Sequence, residues 1–153
     1  MAGDFALGGL VAGEGTFYVS RTKDRFRDGQ QKCRFVFQVH MARRDRALLG
    51  ALRDVLGFGA ITDRPAQGMW LPSSTLTIGS RKAHLSATIP FMERHLLPCA
   101  KRRQFEAWRD ELVEYDLAHP RRTGRSPCSV EGCNEPVRGR GLCRRHYYRA
   151  TGY

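Results

Sequence analysis

Carboxylates are scarce in this chain: 15 Asp and Glu stand against 26 Lys and Arg in 153 residues, leaving +11 at pH 7 and a pI near 10.1. A balance this basic on so short a chain argues against a cationic ligand and points to a polyanion, nucleic acid first. Long apolar runs are missing too. Nothing approaches the ~20 residues of a membrane span, and Met1-Ala-Gly-Asp4 lacks a basic segment followed by an apolar one, so we expect no membrane partner and an intracellular, cytoplasmic or nucleoid-associated protein. The five cysteines are odd in number, which excludes a fully paired disulfide framework; three crowd near one histidine, a pattern of metal ligation with two ordinary thiols, Cys33 and Cys99, left over. No internal repeat is visible.

What is present suffices for one core. With 41% apolar residues the chain can hold one domain of about 115 residues and a small appendage. After a glycine-rich first helix, Thr16–Lys23 alternates as a strand, Asp28-Gly29 supplies a turn, and a second strand runs from about Lys32 to Met41. Cys33, Phe35, Phe37, Val39 and Met41 share one face, while Arg34, Val36, Gln38 and His40 share the other. Asp45 can cap a helix to about Leu56, with Leu48, Leu49, Leu52, Val55 and Leu56 as core and Gly57 or Gly59 ending it. Two short strands follow, near Ala60–Arg64 and Trp70–Ile78, whose polar positions Thr62, Arg64, Gln67, Ser73, Thr75 and Thr77 suit base edges and phosphates. Ser80 can cap a third helix to about Arg94, and a fourth runs from about Ala100 to Leu117. His84, His95 and His119 read as packing or surface residues. The class is α+β, with an antiparallel sheet whose second face is open. His119 to Pro127 carries three arginines and no apolar period, so the boundaries are 1–118, a basic linker 119–127, and 128–153.

The opening stretch concentrates the chemistry. Asp4 can cap the first helix, Gly15 can end it in a left-handed residue, and Gly8 with Ala12, and Gly9 with Gly13, form side-chain-poor stripes. Interior glycines cost roughly 0.5–1 kcal/mol each relative to alanine, a cost that close approach of a second backbone would offset. Leu7, Leu10 and Val11 can anchor the helix, and Glu14 falls at its negative pole, where a carboxylate calls for a cation. Leu7-Gly-Gly-Leu-Val-Ala-Gly-Glu-Gly15 resembles the LAGLIDADG motif of homing endonucleases, with Glu14 at the metal-binding acid. The resemblance continues in order through Phe35-Val-Phe-Gln-Val39, Leu56-Gly-Phe-Gly59 and Lys101-Arg-Arg-Gln104, covering roughly residues 4–117.

That resemblance implies an αββαββαα saddle and a Mg²⁺-dependent site-specific DNA endonuclease. The chain has one motif and therefore one acid, so a homodimer is implied, paired through Gly8, Gly9 and Ala12 and acting on a pseudo-palindromic double-stranded site. Glu14 with the Gly13 carbonyl would hold Mg²⁺; Lys101 matches the family's lysine beside the metal, and Gln38 a second-strand glutamine that positions water. Met41 departs from the pattern, since some relatives carry a polar water-positioning residue there, and this leaves a non-cleaving DNA- or RNA-binding protein, a transcription regulator or maturase, as the alternative. Arg21, Lys23, Arg25, Arg27, Lys32, Arg34, Gln38, His40, Arg64, Thr75, Thr77 and Arg102 are candidate DNA contacts.

The tail is a separate signal. Cys128, Cys133, Cys143 and His146 are spaced Cys-x4-Cys-x9-Cys-x2-His, and a stretch with so few apolar residues cannot fold without a staple. Three thiolates and an imidazole suit a closed, structural Zn²⁺ site. Arg144 and Arg145, interleaved with Tyr147 and Tyr148, could extend a DNA footprint or meet a protein partner.

Overall fold

The computed structural model describes residues 2–23, 31–119 and 127–151. It separates into two compact units, Met1–Ala118 and His119–Tyr153. The expected turn at Asp28-Gly29, Arg25 and Arg27, and most of the linker, lie outside the described residues.

The first unit follows the expected order: α1 (Ala2–Glu14), β1 (Gly15–Lys23), β2 (Gln31–Ala42), a 3₁₀ turn (Arg43–Asp45) leading into α2 (Arg46–Leu56), β3 (Ala60–Arg64), β4 (Ser73–Ile78), α3 (Arg81–Ala83), α4 (Ile89–His95) and α5 (Ala100–Ala118). A π-helical turn, His84–Thr88, joins α3 to α4. It lies just before Pro90, which has no amide to give the carbonyl one turn back. All four strands are antiparallel in the order β1-β2-β4-β3. The class is α+β, as predicted.

Helices cover one face of the sheet. Phe17, Phe35, Phe37, Val39, Leu76 and Ile78 point from the strands into a core closed by Leu7, Val11, Leu49, Leu52, Leu56, Met92, Phe105, Trp108 and Leu112. Phe17 stacks on Phe37 at 5.0 Å between centroids and touches Phe105 and Trp108. Burying such rings against one another accounts for much of the apolar stabilisation. Leu48 and Val55, expected in this core, are instead 46% and 49% exposed. They lie seven apart on the side of α2 turned from the sheet, where helical periodicity alone cannot separate them from the core stripe.

β1 is an edge strand, and α5 packs along it. Gln104 donates to the Phe17 carbonyl (3.3 Å), Trp108 to that of Tyr18 (3.2 Å), and Glu111 pairs with Arg21. The helix thereby covers part of that edge.

Several local expectations are corrected. α1 starts at Ala2, so Asp4 sits in its first turn. Gly15 opens β1 and is not left-handed; its bare Cα is needed because a Cβ would come within 2.6 Å of the Val11 carbonyl oxygen. Asp45 precedes α2 but its side chain makes no cap bond; Gly57, at φ 68°, supplies the left-handed end. β4 begins at Ser73, because Trp70 belongs to a separate tight turn.

The second unit has a small hairpin, β5 (Val137–Gly139) with β6 (Leu142–Cys143), followed by α6 (Arg144–Thr151). Arg140 (φ 52°) and Gly141 (φ 76°) make its turn. Cys128 and Cys143 are the buried side chains of this unit among the described residues.

Candidate functional site

The strand registers place Thr16, Tyr18, Ser20 and Thr22 of β1 on the open face with Lys32, Arg34, Val36, Gln38 and His40 of β2, Ser73, Thr75 and Thr77 of β4, and Thr62 and Arg64 of β3. Alternation along each strand sends these outward and the apolar set inward. Among the described strand positions of this face none is acidic. Gln38 donates to Thr77 Oγ1 at 3.0 Å, and His40 Nδ1 lies 2.9 Å from Thr75 Oγ1, so the donors and acceptors are held in fixed places. Gly79 leaves room for the Arg34 guanidinium, since a Cβ there would sit 2.9 Å from Nη2.

The carboxylates are spent on the helical side. Asp63 accepts from Ser74 Oγ (2.6 Å) and from Arg46 (3.0 Å). The Ser74 hydroxyl, with Arg46 and Arg43 adding to it against partial burial, holds the Asp63 carboxyl below its ordinary range. Asp116 pairs with Arg81, Glu106 with Arg102, and Glu93 and Asp110 with Arg109. Lys32, Arg34 and Arg64 make no ion pair among the described residues. The open face therefore offers cations free of carboxylate partners among the described residues, as contact with a polyanion requires.

Three expected contacts fall elsewhere. Arg21 and Lys23 alternate onto the helical side of β1, where Arg21 pairs with Glu111. Arg102 is drawn under α4: its Nη1 reaches the Leu96, Glu93 and Met92 carbonyls at 2.8, 3.2 and 3.3 Å. The Met92 carbonyl also accepts the Leu96 amide, so the guanidinium adds chiefly to the Leu96 and Glu93 carbonyls at this helix end, and Arg102 serves the protomer as a capping residue. Gly8 is buried against its own chain; a Cβ there would fall on the His95 carbonyl, which removes it from any interface with a second copy. Gly9 and Gly13 are exposed, with nothing within 4 Å of where a Cβ would stand, and Ala12 is half-buried against the core.

Glu14 ends α1 in solvent, immediately before Gly15 pairs with Val39. The last carbonyls of a helix lack amide partners, so the Gly13 carbonyl and the Glu14 carboxylate make an oxygen-rich spot suited to a hard divalent cation. α5 runs along β1 with Gln104 at Phe17, Trp108 at Tyr18 and Glu111 at Arg21. Lys101, one turn before Gln104, therefore begins α5 at the Glu14 end of β1. Gln38 faces out at the same end, opposite Thr16. Met41 packs against the core on the other side of the sheet. Its apolar side chain is thus explained by packing.

His84, read as a packing residue, is fully buried. Its Nε2–H donates to the Phe35 carbonyl (3.1 Å), Nδ1 accepts from Thr88 (3.3 Å), and the ring meets Trp108 edge-on. Burial pushes its pKa down, so it is held neutral.

In the second unit the ligand atoms of Cys128, Cys133, Cys143 and His146 all lie within 4.8 Å of one another. Cys133 and Cys143 sulfurs are 3.9 Å apart, and His146 Nδ1 is 3.2 and 3.4 Å from the Cys128 and Cys143 sulfurs. Tetrahedral Zn²⁺ with bonds of ~2.3 Å to sulfur and ~2.0 Å to nitrogen needs edges of about this size. Burial raises the Cys128 thiol, but donation from the Cys143 and Val130 amides and from His146 outweighs it, bringing the pKa to about 6. Cys128 is thus favoured as a thiolate, whereas at Cys133 the lowering effect of the Glu135 backbone bond is outweighed by burial and the neighbouring Cys143 and Cys128 sulfurs, which hold that thiol up; three sulfurs and an imidazole this close fit a Zn²⁺ ion. Arg144, Arg145 and Arg149 of α6 are exposed, whereas Arg138 lies over the Tyr148 ring at 5.3 Å.

Sequence reasoning missed the capping role of Arg102 and the exposed Met69-Trp70-Leu71 segment between β3 and β4. The second carries a signal, an apolar triplet bounded by Pro65 and Pro72, which an expected strand over Trp70–Ile78 cuts across.

A family model described as LAGLIDADG endonuclease matches residues 7–112. Among solved structures, the homing endonuclease I-TnaI is 26% identical with a TM-score of 0.65, over 77% of this chain and 76% of that one. The meganuclease I-SmaMI bound to uncleaveable DNA is 23% identical with a TM-score of 0.65, over 75% of this chain but only 38% of that one. The I-LtrWI homing endonuclease bound to target DNA is 22% identical with a TM-score of 0.64, over 72% and 36%. No curated relative matches by sequence.

Proposed function

The chain belongs to the LAGLIDADG endonuclease family, and on that premise we propose that it acts as a homodimeric, site-specific, divalent-metal-dependent DNA endonuclease. The observation that carries this reading is a lone exposed carboxylate, Glu14, at the end of a helix whose outer side is bare glycine, beside an acid-free basic sheet face. Two copies crossing through Gly9 and Gly13, with Ala12 alongside, bring two Glu14 carboxylates together at a two-fold axis. A pseudo-palindromic duplex matches that symmetry. A unit that spans 76% of I-TnaI but 38% of I-SmaMI supports a single copy that must pair.

Each Glu14, with the Gly13 carbonyl, would hold one Mg²⁺, which supplies Lewis acidity and an activated water when bound. Lys101 would balance phosphate charge, and Gln38 would orient the water. Lys32, Arg34, His40, Arg64, Thr75 and Thr77 would contact backbone and base edges in the major groove. The Cys3His cluster would hold a structural Zn²⁺, with Arg144 and Arg145 extending the footprint.

Incubation with randomised duplexes in Mg²⁺ and in Ca²⁺ tests the reading. Discrete double-strand breaks are expected with Mg²⁺ alone and none with Glu14→Gln, which keeps binding. Binding without breaks under both ions would assign the chain to the non-cleaving alternative.

A further inference from the structure

The connection between β3 and β4 carries, beside Gln67, an apolar segment that joins neither the core nor the polar sheet face. Met69, Trp70 and Leu71 are 100%, 81% and 82% exposed, three consecutive large apolar side chains held in water. The segment is built to hold them there. Gln67 and Trp70 exchange both backbone hydrogen bonds, at 3.1 and 3.0 Å, and Gly68 at φ 58° supplies the left-handed first residue of the two-residue turn. Pro65 and Pro72 restrict the two legs, and the Pro72 carbonyl accepts from the Arg43 amide at 3.0 Å. An apolar projection fixed by its backbone and left largely in water marks a binding element.

Its position says what it meets. It leaves the sheet at the end of β3 and the start of β4, the end where Glu14 precedes β1. Trp70 and Leu71 line an open cleft of about 520 Å³ with His40, Arg64 and Ser73, all three on the open basic face. Apolar tip and cationic floor are therefore one continuous surface. The major-groove edge of a base pair offers one apolar feature, the C5-methyl group of thymine. We propose that the Met69-Trp70-Leu71 tip is a thymine-reading element, Trp70 and Leu71 packing on thymine methyl groups while Arg64 and His40 face the adjoining phosphates and base edges. The inference rests on the DNA-binding reading of the same face.

The test uses a duplex enriched from a randomised pool by the whole wild-type protein, rebuilt with deoxyuridine at each thymine in turn. Affinity is read by fluorescence anisotropy in Ca²⁺ at fixed salt. Removing a methyl beneath the tip is expected to weaken wild-type binding roughly fourfold, the transfer cost of one methyl group. The same replacement is expected to leave a Trp70→Ser, Leu71→Ser double variant unaffected, with its salt slope kept. Equal losses in both proteins, or no loss at any thymine, would overturn the proposal and leave DNA binding standing. Failure of the wild type to enrich any duplex would overturn both. Trp108, the other of two tryptophans, is buried, so a change in exposed-tryptophan emission on adding duplex reports Trp70. A blue shift on raising protein concentration without DNA would assign the tip to a second copy and refute thymine reading.

Discussion

Replacing Arg102 by alanine separates a structural cation from a DNA contact. Its guanidinium makes one short bond to the Leu96 carbonyl and two longer ones to Glu93 and Met92, and pairs with Glu106 at 2.8 Å. A charge-assisted bond to an otherwise orphaned carbonyl is worth about 1.5 kcal/mol. A cation at a helix C-terminus adds about 0.5 kcal/mol, and an i,i+4 ion pair a few tenths. Arg102 is 25% exposed, so solvent screening trims the total to about 2 kcal/mol. For a unit of this size that is about 8 °C in Tm. Arg102→Lys should recover the charge but not the forked geometry, and so about half the loss. Thermal unfolding followed by circular dichroism measures the loss, and a salt titration of DNA affinity measures the other side. A capping residue leaves the slope of log K against log salt unchanged; a phosphate contact lowers it by about one. An unchanged Tm together with a reduced slope would refute the assignment.

Gly8→Ala should cost about 2–3 kcal/mol, because a methyl group there meets the His95 backbone and not a flexible side chain. Gly9→Ala meets nothing in the protomer, so it should stabilise a lone chain by about 0.5–1 kcal/mol while weakening self-association in sedimentation. Chelation, or Cys133→Ser, should abolish amide protection in residues 127–151 and leave the melting of the first unit unchanged, with one Zn²⁺ per chain in the native mass spectrum. His84 is neutral when folded and its pKa is lowered by burial, so the unfolded chain binds the proton more readily. Its contribution is therefore complete above the ordinary value of about 6.5 and is lost as pH falls below it. Denaturant titrations should show stability falling by up to about 1.4 kcal/mol per pH unit in that window, a slope that His84→Phe removes.

Period and charge determined much of this protein from sequence alone. The alternation in β2 separated Phe35, Phe37 and Val39 from Arg34, Gln38 and His40 because a strand has two faces and only one can be dry. The Cys3His spacing marked its cluster because a segment so poor in apolar residues needs another source of cohesion. The Leu7–Gly15 stretch ending in Glu14-Gly15 pointed to the family by resemblance, because its small residues and terminal acid stand in a fixed order followed by further landmarks at compatible spacing. Tertiary structure decided what each side chain is used for. Gly8 and Gly9 are adjacent and chemically identical, yet one is pressed on His95 and the other stands in water. Arg102 and Lys101 share one basic run, but the carbonyls left open at the end of α4 capture only the first. Leu48 and Leu49 differ by one helical step and lie on opposite sides of burial. Such choices depend on which neighbour folding brings within a few ångströms, and local sequence carries no record of partners dozens of residues away.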